Sequence, residues 1–120
     1  MKSRIGYINI HVSDLDRAVA FYRDVLGFEL QFSDASFHYA RFDVGGLRFG
    51  VASGGDAPRD PKIDVFTGIS ISVDDVDAAY AEMKANGVRF TMEPSRQPWG
   101  GYMGMFADPD GNVFYLDGPQ

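Results

Sequence analysis

Two stretches of the chain alternate apolar and polar positions with a period of two: Tyr7-Ile8-Asn9-Ile10-His11-Val12 and Gly68-Ile69-Ser70-Ile71-Ser72-Val73. Successive side chains on a strand point to opposite faces, so each stretch predicts a half-buried strand. An acidic helix start follows each one. Ser13 or Asp14, with Asp16, opens the first helix and Asp74 with Asp77 the second, where carboxylates cap free N–H groups and complement the helix dipole. Leu15, Ala18, Val19, Tyr22, Val25 and Leu26 then recur at helical spacing, as do Val76, Ala79, Tyr80 and Met83. Gly27 and Gly87 supply the stops.

The two patterns are one pattern used twice. Laying residues 8–25 over 69–86 matches Ile8, Ile10, Val12, Asp14, Asp16, Ala18 and Ala20 to identical residue types, and one deletion later Gly27 meets Gly87. Three strand-like segments follow each helix. They are Phe28–Phe32, Phe37–Val44 and Leu47–Ala52 in the first copy, and Val88–Met92, Tyr102–Ala107 and Asn112–Leu116 in the second. Gly45-Gly46 and Asp108-Pro109-Asp110-Gly111 provide turns between the last two segments of each copy. The predicted class is α+β: two tandem βαβββ modules, about 1–53 and 62–120, forming a curved mixed sheet around a central pocket. A Gly/Pro-rich linker over 54–61 joins them.

A helix covers one face of its sheet, so Ile8, Ile10 and Val12 should point at the first helix and Ile69, Ile71 and Val73 at the second. The opposite face then carries Tyr7, Asn9 and His11 with Gly68, Ser70 and Ser72. Small and polar side chains of this kind suit a wet cavity, although a one-sided sheet could also present them to solvent. Trp99, in the glycine-flanked loop Gln97-Pro98-Trp99-Gly100-Gly101-Tyr102, is placed to fold over the mouth of such a cavity.

Composition narrows the functions. The 120 residues include no cysteine, which excludes disulfides, thiolate metal sites and a cysteine nucleophile, and suits a cytoplasmic location. No apolar run approaches the ~20 residues that span a bilayer, and the N-terminus lacks the apolar core of a secretion signal. A formal charge of -6, with the 11 Lys and Arg scattered, makes nucleic acid and anionic membranes poor partners.

At this point the chain resembles the vicinal oxygen chelate superfamily, which includes glyoxalase I, extradiol dioxygenases, fosfomycin-modifying enzymes and bleomycin-resistance proteins. The resemblance rests on VSDLDRAVAFYRDVLGF, residues 12–28, on FADPDGNVFYL, residues 106–116, and on two modules of the right length. In metal-using members, as the resemblance implies, a histidine near the middle of each module's first strand and a carboxylate on each last strand face one divalent ion. Those positions fall here on Tyr7 and Gly68, on Tyr115, and on Phe49, or Gly50 if the register slips by one. None is a ligand of that kind, so no metal and no other cofactor is expected.

What remains is a set of ligand-binding candidates: Tyr7, Asn9, His11, Phe49, Ser70, Ser72, Trp99, Tyr102 and Tyr115. The aromatic members could instead fill the cavity as solid core. His11 is the one candidate for catalysis, as a general base, while His38 lies on another strand. The resemblance to the bleomycin-resistance branch points to metal-independent sequestration of a small, flat, largely apolar molecule between the modules. The alternatives are a metal-dependent or His11-based lyase, isomerase or dioxygenase, and a stress or regulatory protein acting through a protein partner. Resembled single-domain members commonly pair, so a homodimer is expected.

Overall fold

The computed structural model describes residues 1–54 and 59–119, so the central part of the expected linker, 55–58, lies outside the described residues. The chain divides into two compact units, Met1–Pro61 and Lys62–Gln120. The first runs β1 (Ile8–Val12), α1 (Leu15–Ala20), β2 (Glu29–Asp34), β3 (Tyr39–Val44) and β4 (Leu47–Ser53). The second runs β5 (Val65–Ser72), α2 (Val76–Ala85), β6 (Arg89–Arg96), β7 (Tyr102–Ala107) and β8 (Asn112–Asp117). Each forms a four-stranded sheet, ordered β1-β4-β3-β2 and β5-β8-β7-β6. The first strand lies parallel to the last, and the remaining pairs are antiparallel. This is the α+β class with two βαβββ modules.

The alternation read along β1 survives as burial. Ile10 and Val12 are buried, whereas Asn9 and His11 are exposed. Asp14 caps α1 by accepting from the Arg17 N–H at 3.0 Å, and Asp75 caps α2 through the Ala78 N–H at the same distance. The first helix does not continue regularly to Leu26. Residues Phe21–Val25 form a π turn, in which the Leu26 N–H donates to the Phe21 carbonyl, five residues back, at 3.2 Å. The cause is countable: Gly27 lies thirteen residues after its cap, and Gly87 only twelve after Asp75. The deletion needed to align the copies is thus an extra residue in the first helix, absorbed as one wide turn. Both helices still reach a left-handed glycine, with φ 73° at Gly27 and 82° at Gly87.

Other boundaries also moved. Residues Ala35–Phe37 form a 3₁₀ turn, and His38 follows in a left-handed conformation with φ 54°, so β3 begins only at Tyr39. Asp34 holds that turn by accepting from the Ser36 N–H and hydroxyl at 2.9 and 2.6 Å. β5 starts at Val65, before the alternating stretch, and shifts register between Phe66 and Ser70, where Gly68 has φ 73°. That is a bulge at a residue without a side chain to strain.

Each helix closes an aromatic core. In the first unit Tyr22 is fully buried, its ring 5.2 Å from Phe49, 5.1 Å from Phe21 and 5.9 Å from Phe28. In the second, Phe106 stacks on Phe114 at 5.5 Å, and Tyr80 meets Phe90 edge-on at 4.7 Å. Each such ring contributes roughly 1.5–3 kcal/mol by leaving water. The β7–β8 turn is clamped by buried Asp108, which accepts from the Asp110 N–H, the Asn112 N–H and the Asn112 amide at 2.8 to 2.9 Å. Gly111 completes the reversal at φ 83°. The DPDGN segment is therefore a structural turn that aims β8.

Candidate ligand-binding site

The face of the second sheet turned away from α2 carries a cavity of about 470 Å³, lined by Ser70, Ser72, Trp99, Met103, Tyr115 and Asp117. Register explains the grouping. Ser70 pairs with Tyr115, Ser72 with Asp117 and Met103 with Asp117, and paired residues share a face. The Ser70 hydroxyl donates to Asp117 Oδ2 at 2.7 Å. Trp99 is 72% exposed, and its indole rests on Gly101, where a Cβ would stand 2.8 Å from Nε1. Four of the sequence candidates, Ser70, Ser72, Trp99 and Tyr115, thus line one cavity.

Tyr102 is not among them. It borders a separate cavity of about 640 Å³ beside the start of α2, lined by Asp74–Asp77, Arg96, Trp99–Tyr102, Gly118 and Pro119. The Tyr102 hydroxyl donates to Asp77 Oδ1 at 2.5 Å. That bond, helped by desolvation and the carboxylate charge, raises the hydroxyl's pKa above its usual value. The polar groups here largely satisfy one another: Asp75 caps the helix and the Arg96 guanidinium donates to the Gly100 carbonyl at 3.1 Å. Only Trp99 borders both cavities.

In the first unit the sheet face opposite α1 carries Asn9 and His11, with Tyr7 just ahead of β1 and 60% exposed. Phe49 lies on the other side. It is buried against Tyr22 and Phe28, at ring distances of 5.2 and 5.5 Å, so it belongs to the core under the helix rather than to the open face. Gly50 takes the open-face position. It pairs with Asn9 as Tyr115 pairs with Ser70, which makes Gly50 the counterpart of Tyr115. The Tyr39 hydroxyl donates to Asn9 Oδ1 at 2.9 Å across it, and a Cβ on Gly50 would come within 2.1 Å of both oxygens. Partial burial pushes the Tyr39 hydroxyl above its usual pKa, with Arg41 acting in the opposite sense.

Sequence reasoning missed Asp117, Met103 and Tyr39. Asp117 was within reach, since it lies one strand period beyond Tyr115 and so on the same face. Tyr39 was not, because its place opposite Asn9 depends on the β3–β4 register.

The ligand positions implied by the resemblance now hold two phenols, at Tyr7 and Tyr115, and two glycines, at Gly50 and Gly68. Among the described residues, no group of three or more His, Asp or Glu stands together to hold a metal ion. Asp117 keeps a carboxylate on the open face, but as the only charged group lining its cavity. This donor set does not fit a divalent ion, which requires several converging imidazoles or carboxylates.

Comparison with known proteins agrees with the architecture. The model of the family described as Glyoxalase/Bleomycin resistance protein/Dioxygenase superfamily matches residues 4–116. YetH, an uncharacterised protein of Bacillus subtilis, is 31% identical, with 97% of this chain and 98% of YetH covered. The metallothiol transferase FosB of Lysinibacillus sphaericus is 32% identical over 92% of this chain and 78% of its own. A crystal structure of a member of the same superfamily from Sphaerobacter thermophilus superposes with a TM-score of 0.80 at 33% identity, covering 98% of each chain.

Proposed function

The chain belongs to the Glyoxalase/Bleomycin resistance protein/Dioxygenase superfamily, and from that premise we propose that it binds a small organic molecule on the open face of its second module without a divalent metal as anchor. The observation that carries this reading is the cavity lined by Ser70, Ser72, Trp99, Met103, Tyr115 and Asp117, which offers aromatic faces and hydroxyls and includes Tyr115, one of the implied metal-ligand positions. Its volume, about 470 Å³, falls within the ~300–1,000 Å³ usual for small-molecule sites. The first module has a polar open face of its own, with Asn9 and His11 on β1, Tyr7 just ahead of it, and Tyr39 donating to Asn9 across Gly50. The protein acts in the cytoplasm as a homodimer.

Kinship favours a second reading, catalysis, more than it favours sequestration. FosB is named a transferase and the family description includes dioxygenases. Under this reading the bound molecule is a substrate, and His11, on the open face of β1, is the general base. An unobvious metal set is the variant that the donor positions favour least.

One experiment separates the readings. Protein purified without an affinity tag is assayed for metals, screened against a small-molecule library by thermal shift, and its hits are followed by NMR for turnover. Stabilising hits without bound metal or product support sequestration. Turnover that is lost in His11→Ala supports the enzyme. One tightly held metal per chain, whose removal lowers Tm, would overturn the metal-free proposal.

A further inference from the structure

The proposed cavity has a charge, and the charge selects the ligand. Asp117 is the only ionisable acid or base among its lining residues apart from the phenol of Tyr115. One carboxylate oxygen accepts from Ser70, and no Arg or Lys of the described residues forms an ion pair with it. The other lining groups are an indole, a phenol, a thioether and two hydroxyls. Indole and phenol faces attract cations, and serine hydroxyl oxygens accept from ammonium donors. A bare metal ion would not be held, because one carboxylate gives too few hard ligands. The volume also exceeds what an ion needs.

Resting on the binding reading above, we propose that the ligand is an organic cation. It carries a protonated amine or similar group that pairs with Asp117, joined to a flat apolar body that lies against Trp99, Tyr115 and Met103. The formal charge of -6 acts in the same direction, raising the concentration of cations near the surface. Anions such as carboxylates or phosphates are repelled by the same group, since the lining holds no cationic side chain to offset it.

The test uses three matched probes on the full chain: naphthylmethylamine, naphthylmethanol and naphthoate. Binding is read from the emission of Trp99, the only tryptophan, in the wild type and in Asp117→Asn. The expected result is at least tenfold tighter binding of the amine than of the alcohol, no binding of naphthoate, and weakening of the amine by raised salt. Asp117→Asn should bring the amine to the level of the alcohol measured in the same variant. Thermal unfolding of the variant checks that the fold is kept, and the wild-type comparison of amine with alcohol stands without it. Equal binding of amine and alcohol, or preference for naphthoate, would overturn the cationic ligand while leaving small-molecule binding intact. Failure of all three probes to bind overturns both.

Discussion

Two aromatic residues separate recognition from packing. Trp99 is exposed on a glycine-flanked loop, so Trp99→Ala should weaken binding about tenfold for each 1.4 kcal/mol of stacking lost, with little change in Tm. Phe49 is buried among Tyr22 and Phe28, so Phe49→Ala should cost about 3–5 kcal/mol in denaturant unfolding. A fall of 3 kcal/mol or more in Trp99→Ala would instead make the indole a core residue. Gly50→Ala should also destabilise, by roughly 1–3 kcal/mol, because its Cβ would strike Asn9 and Tyr39. The open-face identity of Ser70 and Ser72 was legible, since alternation alone fixes it, while Tyr115 came from the ligand position that the resemblance implies. Phe49 was not. The repeat leaves the β4 alignment uncertain by one residue, and a one-residue slip exchanges the two faces of a strand.

At the level of elements, the caps were legible to within a residue, because Asp before an apolar helical stripe is a local signal. Asp75→Ala should cost about 1 kcal/mol of stability, the usual worth of a side-chain cap, measured by urea unfolding. The π turn was present in the alignment only as a gap, since periodicity does not reveal how a helix absorbs an extra residue. The loop bearing Trp99 is tied to α2 through the Tyr102–Asp77 hydrogen bond. That bond raises the Tyr102 pKa, so the folded state holds the phenolic proton more tightly than the unfolded chain does. The resulting stabilisation is fully present below the ordinary tyrosine pKa of about 10 and is lost as pH rises through the raised value. Ultraviolet titration should show two late-ionising tyrosines, Tyr39 and Tyr102, of which one disappears in Tyr102→Phe. An unchanged titration would show that the bond does not persist in solution.

For the whole molecule, the internal repeat carried the fold, because each module repeats both its hydrophobic periods and its turns. The metal-ligand residues that the resemblance implies did not come with it. The positions where the resemblance places metal ligands hold Tyr7, Gly50, Gly68 and Tyr115, and a carboxylate, Asp117, stands one strand period beyond Tyr115 along β8. No helix among the described residues is long and apolar enough to cross a membrane. A homodimer should appear by light scattering at micromolar concentration, and a strict monomer would remove pairing from the proposal.

The most direct measurement is Trp99 emission during titration of a thermal-shift hit into protein fully stripped by chelator. Binding on the metal-free open face requires a saturable change with the same Kd before and after stripping, absent in Tyr115→Ala. Binding that vanishes on stripping and returns with one equivalent of divalent metal would contradict it.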